Sequence, residues 1–124
     1  MSAYNIVQQL LSIKKIDPNS KHIKLSTFSG SEKDYQEKSA LIIAIERENI
    51  EIIRLLVSIK KTNVNSIHLN RYDGGKYIEE NNALIIATMT KNPEIVQLLL
   101  SRKNIDINAK YFLKSPKSDS KIFW

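Results

Sequence analysis

The feature that most constrains this chain is a fixed internal period. The stretch SALIIAIERENIEIIRLLVSIKKTNVN, residues 39–65, returns as NALIIATMTKNPEIVQLLLSRKNIDIN at 82–108; Leu41 maps to Leu84 and Ser58 to Ser101, an offset of 43 residues. A repeated supersecondary unit cannot bury its apolar face alone, so copies must stack to share one continuous core. A partial copy, NIVQQLLSIKKIDPN at 5–19, aligns with the second half of the others through Ser12 and Ser58. The array thus begins mid-repeat. After Asn108 it runs to Trp124 without another LIIA-type segment, and so ends mid-repeat.

Within a repeat, Ile52, Ile53, Leu55, Leu56 and Ile59 keep the spacing of one helical face, and Ile95, Val96, Leu98 and Leu99 repeat it. Ile53, Leu56, Val96 and Leu99 are the expected core. Asn92 and Pro93 mark a helix start, an N-cap followed by proline at the first helical position, and Asn49 with Glu51 repeats most of that signal. The preceding LIIAI and LIIAT runs fit a buried strand as well as a helix, which leaves a βαβ reading open. Each run passes into polar residues (Glu46, Arg47; Met89, Thr90) and reaches the next cap within a few positions, as two antiparallel helices would.

Long polar segments separate the helix pairs. Asp73, Gly74 and Gly75, flanked by Ile67, Leu69, Tyr77 and Ile78, form a hairpin signal, because glycine tolerates the positive φ of a tight turn. The segment around Ser29, Gly30 and Ser31 and the final YFLKSPKSDSKIFW are expected to form hairpins too.

The helix openings resemble the ankyrin repeat, whose first helix begins threonine, proline, leucine, histidine, any residue, alanine. Here the stretch reads Ser39, Ala40, Leu41, Ile42, Ile43, Ala44, and again Asn82, Ala83, Leu84, Ile85, Ile86, Ala87. IEIIRLLV and PEIVQLLL are similar to the family's second helix, and Asn63, Val64, Asn65 and Asp106, Ile107, Asn108 to the aspartate, valine, asparagine stretch after it. Ile42 and Ile85 replace the histidine, and Glu48 and Lys91 stand where the family prefers glycine. The period exceeds the family's 33 residues by about ten, and the excess falls in the hairpins, as in expanded-loop members. The resemblance implies an all-α solenoid with β-hairpins: antiparallel helix pairs, about two and a half repeats, in a single domain over 1–124. Its parts are a half repeat with hairpin (1–38), a full repeat with hairpin (39–81) and a full repeat with C-terminal hairpin (82–124). It also implies a non-enzymatic protein-interaction module that binds through its hairpins and first helices.

The residues carry no rival chemistry. There is no Cys, hence no disulfide, and a reducing cytoplasm, or the nucleus, is the expected compartment. No apolar run nears the roughly 18 residues of a membrane span. His22 and His68 share a column of the aligned hairpins, but zinc needs three or four ligands, so no metal and no cofactor is expected. No nucleophile, base and orienting group converge, and Gly74 and Gly75 lack the lysine and Ser/Thr ending of a phosphate loop.

The net charge of +6 raises a nucleic-acid or anionic-surface alternative. Lys110, Lys114, Lys117 and Lys121 mix with Tyr111, Phe112, Phe123 and Trp124, a composition that can bind single strands. Against it, Lys14, Lys15, Lys60, Lys61, Arg102 and Lys103 each follow an apolar helical run, where a cation meets the negative end of the helix dipole. The expected partner-binding residues are Glu46 and Arg47, their counterparts Met89 and Thr90, and Arg71, Tyr72, Lys76 and Tyr77 on the second hairpin. The cut ends, with Ile6, Val7 and Leu10 uncovered, point to self-association or further repeats.

Overall fold

The structure, a computed structural model, describes residue 5 and residues 17–28, 32–72, 76–108, 111–115 and 118–123. The helical face of the half repeat (Ile6, Val7, Leu10) and the tips of the first two hairpins lie outside these. In chain order the elements are β1 (Lys21–Phe28), β2 (Glu32–Ser39), α1 (Ala40–Glu46), α2 (Ile50–Ser58), β3 (Ile67–Tyr72), β4 (Tyr77–Asn82), α3 (Ala83–Met89), α4 (Pro93–Leu100), β5 (Tyr111–Ser115) and β6 (Ser118–Phe123).

The LIIA runs are helices, and every strand pair is antiparallel, so the βαβ reading falls. β-branched residues disfavour an isolated helix only weakly, and tertiary burial overrides that preference. Here Leu41, Ile42, Ala44 and Ile45 are buried in α1. Side-chain caps set the start of each helix: Ser39 Oγ accepts from Ile42 N–H at 3.2 Å and Asn82 Oδ1 from Ile85 N–H at 2.9 Å, while Asn49 and Asn92 cap the second helices. Pro93 sits in the first turn of α4, where its missing N–H costs nothing.

Glu48 and Lys91 adopt positive φ, 53° and 60°, at the positions where the family prefers glycine. In the first turn Glu48 N–H bonds Ile45 C=O at 2.9 Å and Asn49 N–H bonds Ala44 C=O at 3.0 Å, a Schellman closure built without glycine. The side chain there costs roughly 1–2 kcal/mol of left-handed strain.

First helix packs on first helix (α1 on α3) and second on second (α2 on α4). Ile53, Leu56 and Leu99 lie in the shared core as expected, and Val96 packs against it half-buried.

The all-α description needs correction. The hairpins do not stand as separate projections: they pair edge to edge into one six-stranded antiparallel sheet in the order β1-β2-β3-β4-β5-β6. Their extra length lets successive hairpins meet, with Tyr35, Gln36 and Glu37 opposite Arg71, Asn70 and Leu69, and Ile78, Glu79 and Glu80 opposite Lys114, Leu113 and Phe112. The fold is a solenoid of helix pairs with a sheet running along it.

Of the basic residues after the helices, Lys14 and Lys15 lie outside the described residues, and Arg102 acts differently from the dipole expectation. Neither α2 nor α4 has a cation in its own last turn. Arg102 instead reaches back to the preceding repeat, donating from Nη1 to Val57 C=O (2.9 Å) and Ile59 C=O (3.2 Å), and from Nη2 to Lys60 C=O (3.2 Å). It thus satisfies carbonyls orphaned at the end of α2 and brings a cation to that negative helix end.

Two stability predictions follow from this packing. Leu99→Ala, at a fully buried position, is expected to cost about 2–5 kcal/mol; an unchanged melting temperature would contradict its place in the core. Arg102→Ala should cost about 1.5–3 kcal/mol in a urea titration, the range for hydrogen bonds from a charged donor. Arg102→Lys should recover only a minor part, because an ammonium cannot span the same carbonyls.

Candidate functional site

Side chains alternate across a strand, so the register divides the sheet into two faces. His22 and Lys24 on β1 share a face with their partners Lys38 and Gln36 on β2, and this face looks toward the first helix. A cleft of ≈ 360 Å³ lies between them, closed on the helix side by Ile43, Glu46 and Arg47. Along the same face follow His68, Asn70 and Tyr72 on β3 and Tyr77, Glu79 and Asn81 on β4, partnered pairwise.

The expected binding residues separate across these faces. Glu46 ends α1 and is ion-paired with Lys38 at 3.0 Å, which ties helix to hairpin. Arg47 is the C-cap residue, exposed and lining the cleft. Tyr72 and Tyr77 sit opposite each other near the tip of the second hairpin, their rings stacked at 5.1 Å and inclined by 7°. They brace their own hairpin, and burial of the Tyr72 hydroxyl, with Glu79 adding, raises its pKa. Lys76 is exposed beside them.

Met89, 59% exposed, ends α3 on the same side as Glu46 in the preceding repeat. Thr90 is committed to the turn: its Oγ1 donates to Ala87 C=O at 2.6 Å and accepts from Asn92 N–H at 3.2 Å.

Arg71 lies on the opposite face. Its guanidinium stands 5.8 Å from the Tyr35 ring centre. Tyr35 donates its hydroxyl to Glu37 at 2.6 Å, and Glu37 pairs with Lys21 at 2.6 Å. Lys21 and then Tyr35 hold the Glu37 carboxyl below the usual carboxylate range, while the bond to Glu37 raises the Tyr35 hydroxyl. This chain of contacts joins hairpin one to hairpin two.

His22 and His68 are on β1 and β3, with β2 and its Lys38 between them. Two strand spacings put their backbones about 10 Å apart on one face, and the pair alone falls short of the three or four ligands zinc needs. Among the described residues no group of three or more His, Asp or Glu could hold a metal. Of the basic and aromatic C-terminal segment, Lys110, Lys117 and Trp124 lie outside the described residues; the rest of its backbone forms β5 and β6, paired onto β4.

Helix pairs stacked like on like, caps at the threonine position and hairpins leading straight into first helices are the arrangement that the sequence resemblance implies. A family model of ankyrin repeats, in three copies, matches residues 1–111. The chain belongs to the ankyrin-repeat family. No curated protein and no solved structure matches it. Ankyrin repeats are in general protein–protein interaction modules and are typically non-enzymatic. No helix among the described residues is long and apolar enough to cross a membrane.

Of the hairpin side of this cleft, the sequence singled out only His22, and that as a candidate metal ligand. Lys24, Gln36 and Lys38 carry only a weak two-residue alternation, and the turn between the strands gives no register without the strand partners.

His68 supplies the titration test. Burial, then the Lys38 charge, holds its imidazole below the ordinary value, with Glu46 and Glu79 opposing. Its Nε2 is buried without a hydrogen-bond partner, as a neutral ring allows. With the folded pKa lowered, the unfolded chain binds the proton more readily, so stability is full above the unfolded pKa near 6.5 and declines as pH falls through the folded one. Urea midpoints should therefore drop from pH 7.5 to pH 5, and His68→Gln should flatten that decline.

Proposed function

We propose that this ankyrin-repeat domain, taken as one unit over 1–124 and of the expanded-loop variety, binds a protein partner across the cleft beside α1 and the stacked tyrosines of the second hairpin. The observation that carries this reading is the convergence in one cleft of two cations with no ion-pair partner among the described residues, Lys24 and Arg47, with the half-buried Ile43. Lys38 is already neutralised there by Glu46. Unpaired cations around a small apolar floor favour a carboxylate-bearing segment, because charge complementarity steers encounter and fixes register.

Glu46, Arg47, Tyr72, Lys76, Tyr77 and Met89 lie on the side of the sheet and first helices that this partner would cover. Arg71 contributes by holding the hairpins together. Thr90 fixes the turn after α3. The compartment we infer is the cytoplasm or nucleus, on the absence of Cys.

A partner isolated from the native cell by capture on the immobilised domain provides the test. Arg47→Ala and Tyr72→Ala should each weaken its binding by more than about 1 kcal/mol in calorimetric titrations, with the melting temperature nearly unchanged for Arg47→Ala and modestly lowered for Tyr72→Ala, which loses the ring stack. Arg54→Ala and Gln97→Ala, on the exposed side of the second helices, should bind as wild type. The reverse pattern would place the interface on the second helices. Binding to DNA or RNA should be weak and indifferent to sequence, falling linearly in log affinity with log salt; tight selective binding of an oligonucleotide at physiological salt would overturn the protein-partner reading.

A further inference from the structure

An antiparallel sheet with one covered face usually turns its apolar residues toward the cover. This sheet does the reverse. The face toward the first helices carries His22, Lys24, Gln36 and Lys38 on the first hairpin and His68 and Asn70 on the second. The apolar residues alternate onto the outer face instead, where Ile23, Leu25 and Ile67 are 53%, 61% and 46% exposed and Tyr35, Leu69 and Ile78 are half-buried. A contiguous exposed apolar patch of this kind marks a docking surface.

The strand register arranges the outer face of β1 to β4 in neighbouring rows. One row runs Ile23, Glu37, Leu69, Glu80, and the next runs Leu25, Tyr35, Arg71, Ile78. Lys21 neutralises Glu37 at 2.6 Å. Arg71 and Glu80 make no ion pair among the described residues. The two rows thus hold apolar area at β1, an acid–apolar–acid run centred on Leu69 in one row, and a cation on the same strand in the other.

We propose that two copies of this chain pack face to face through these outer sheet faces, as the two layers of a β-sandwich do. The patch is complementary to itself. A two-fold axis lying across the strands between the two rows sets each row over the other row of the second copy. Ile23 then meets Leu25 of the other copy, and Arg71 lies over Leu69 of the other copy, flanked there by Glu37 and Glu80. The axis makes each of these contacts twice. Six strands about 4.8 Å apart and about 20 Å long offer roughly 1,100 Å² over the two copies, just above the roughly 1,000 Å² that a specific interface needs. A reversible dimer is therefore expected, and a contact that uses the same patch on both copies closes at two. The inner face of each sheet, with its cleft beside α1, stays uncovered.

Sedimentation equilibrium of the full chain from micromolar to millimolar concentration reads this directly. The weight-average mass should rise from 14.3 kDa and level off at two copies. Leu25→Glu changes an exposed position, so circular dichroism should show a folded chain, while the unpaired charge it would bury should weaken association about tenfold or more. Glu80→Lys sets a second cation beside Arg71 of the other copy and should weaken association about tenfold as well. Adding Arg71→Glu to it reverses both charges and should regain part of that loss, which a merely adhesive apolar face would not do. A wild type still monomeric at millimolar concentration, a mass that climbs past two copies, Leu25→Glu associating like wild type, or a folded double variant without recovery would each overturn the proposal.

Discussion

Helices of seven to nine residues are too short to persist alone in water, where even good helix formers need about 12–15 residues. Everything in this chain therefore depends on the apolar seam between successive helix pairs, in which Ile42, Ile45, Val64, Ala83 and Ala87 lose nearly all contact with water. The seam needs few polar bonds for its strength, but it needs the backbone on either side to be satisfied. The side chains that do this come from the neighbouring repeat: Asn19 and Asn65 bridge consecutive loops, Arg102 closes the end of α2, and Ser39 Oγ meets Ser66 Oγ at 2.8 Å. A repeat is thus not a folding unit whose bonds are its own. Loss of one junction exposes apolar surface and orphans backbone groups together, which makes the array cooperative over a short length.

The sheet has a second consequence. A separate hairpin on a solenoid would be marginally stable and free to swing, and residues on it would lose entropy on binding. Edge-to-edge pairing, with Lys21, Glu37, Tyr35 and Arg71 linked on one face, removes that freedom before a partner arrives. The opposite face is then held at fixed distance from α1, and the Lys38–Glu46 pair spans the gap. One face of the sheet serves cohesion, and the other is the face we propose for recognition.

Most of the helical architecture was legible in the sequence because its signals are local and doubled: Asn49 and Asn92 cap, Pro93 starts, and Leu56 and Leu99 recur in register. Glu48 and Lys91 were visible as departures from glycine, and both take the left-handed conformation that the turn demands. What the sequence hid depends on relations between repeats. The continuous sheet could not be read from alternation within one hairpin, so the all-α description followed. Arg102 looked like a cation for its own helix, since nothing local reveals that its guanidinium reaches a helix more than forty residues earlier. Arg71 was grouped with Tyr72 as a neighbour in sequence, yet adjacent strand residues point to opposite faces. The two histidines shared a column, but a column in an alignment of hairpins skips the returning strand that separates them.

The positive charge of the chain takes on a different meaning once its members are placed. A net charge of +6 spread evenly would attract any polyanion, with affinity set by salt. Here several cations are engaged internally: Lys21 by Glu37, Lys38 by Glu46, Arg54 by Glu94, Arg71 by the Tyr35 ring and Arg102 by backbone carbonyls. The exposed pairs contribute little to stability, about 0–1 kcal/mol each, but they cancel charge locally. Lys24 and Arg47 have no ion-pair partner among the described residues, and both line a cleft whose floor is partly apolar. Field lines concentrate in such a recess more than over a flat basic surface, so the sum of charges matters less than the pair left unpaired beside Ile43. On the reading proposed above, that geometry suits one acidic segment held in place better than diffuse attraction to a polyanion.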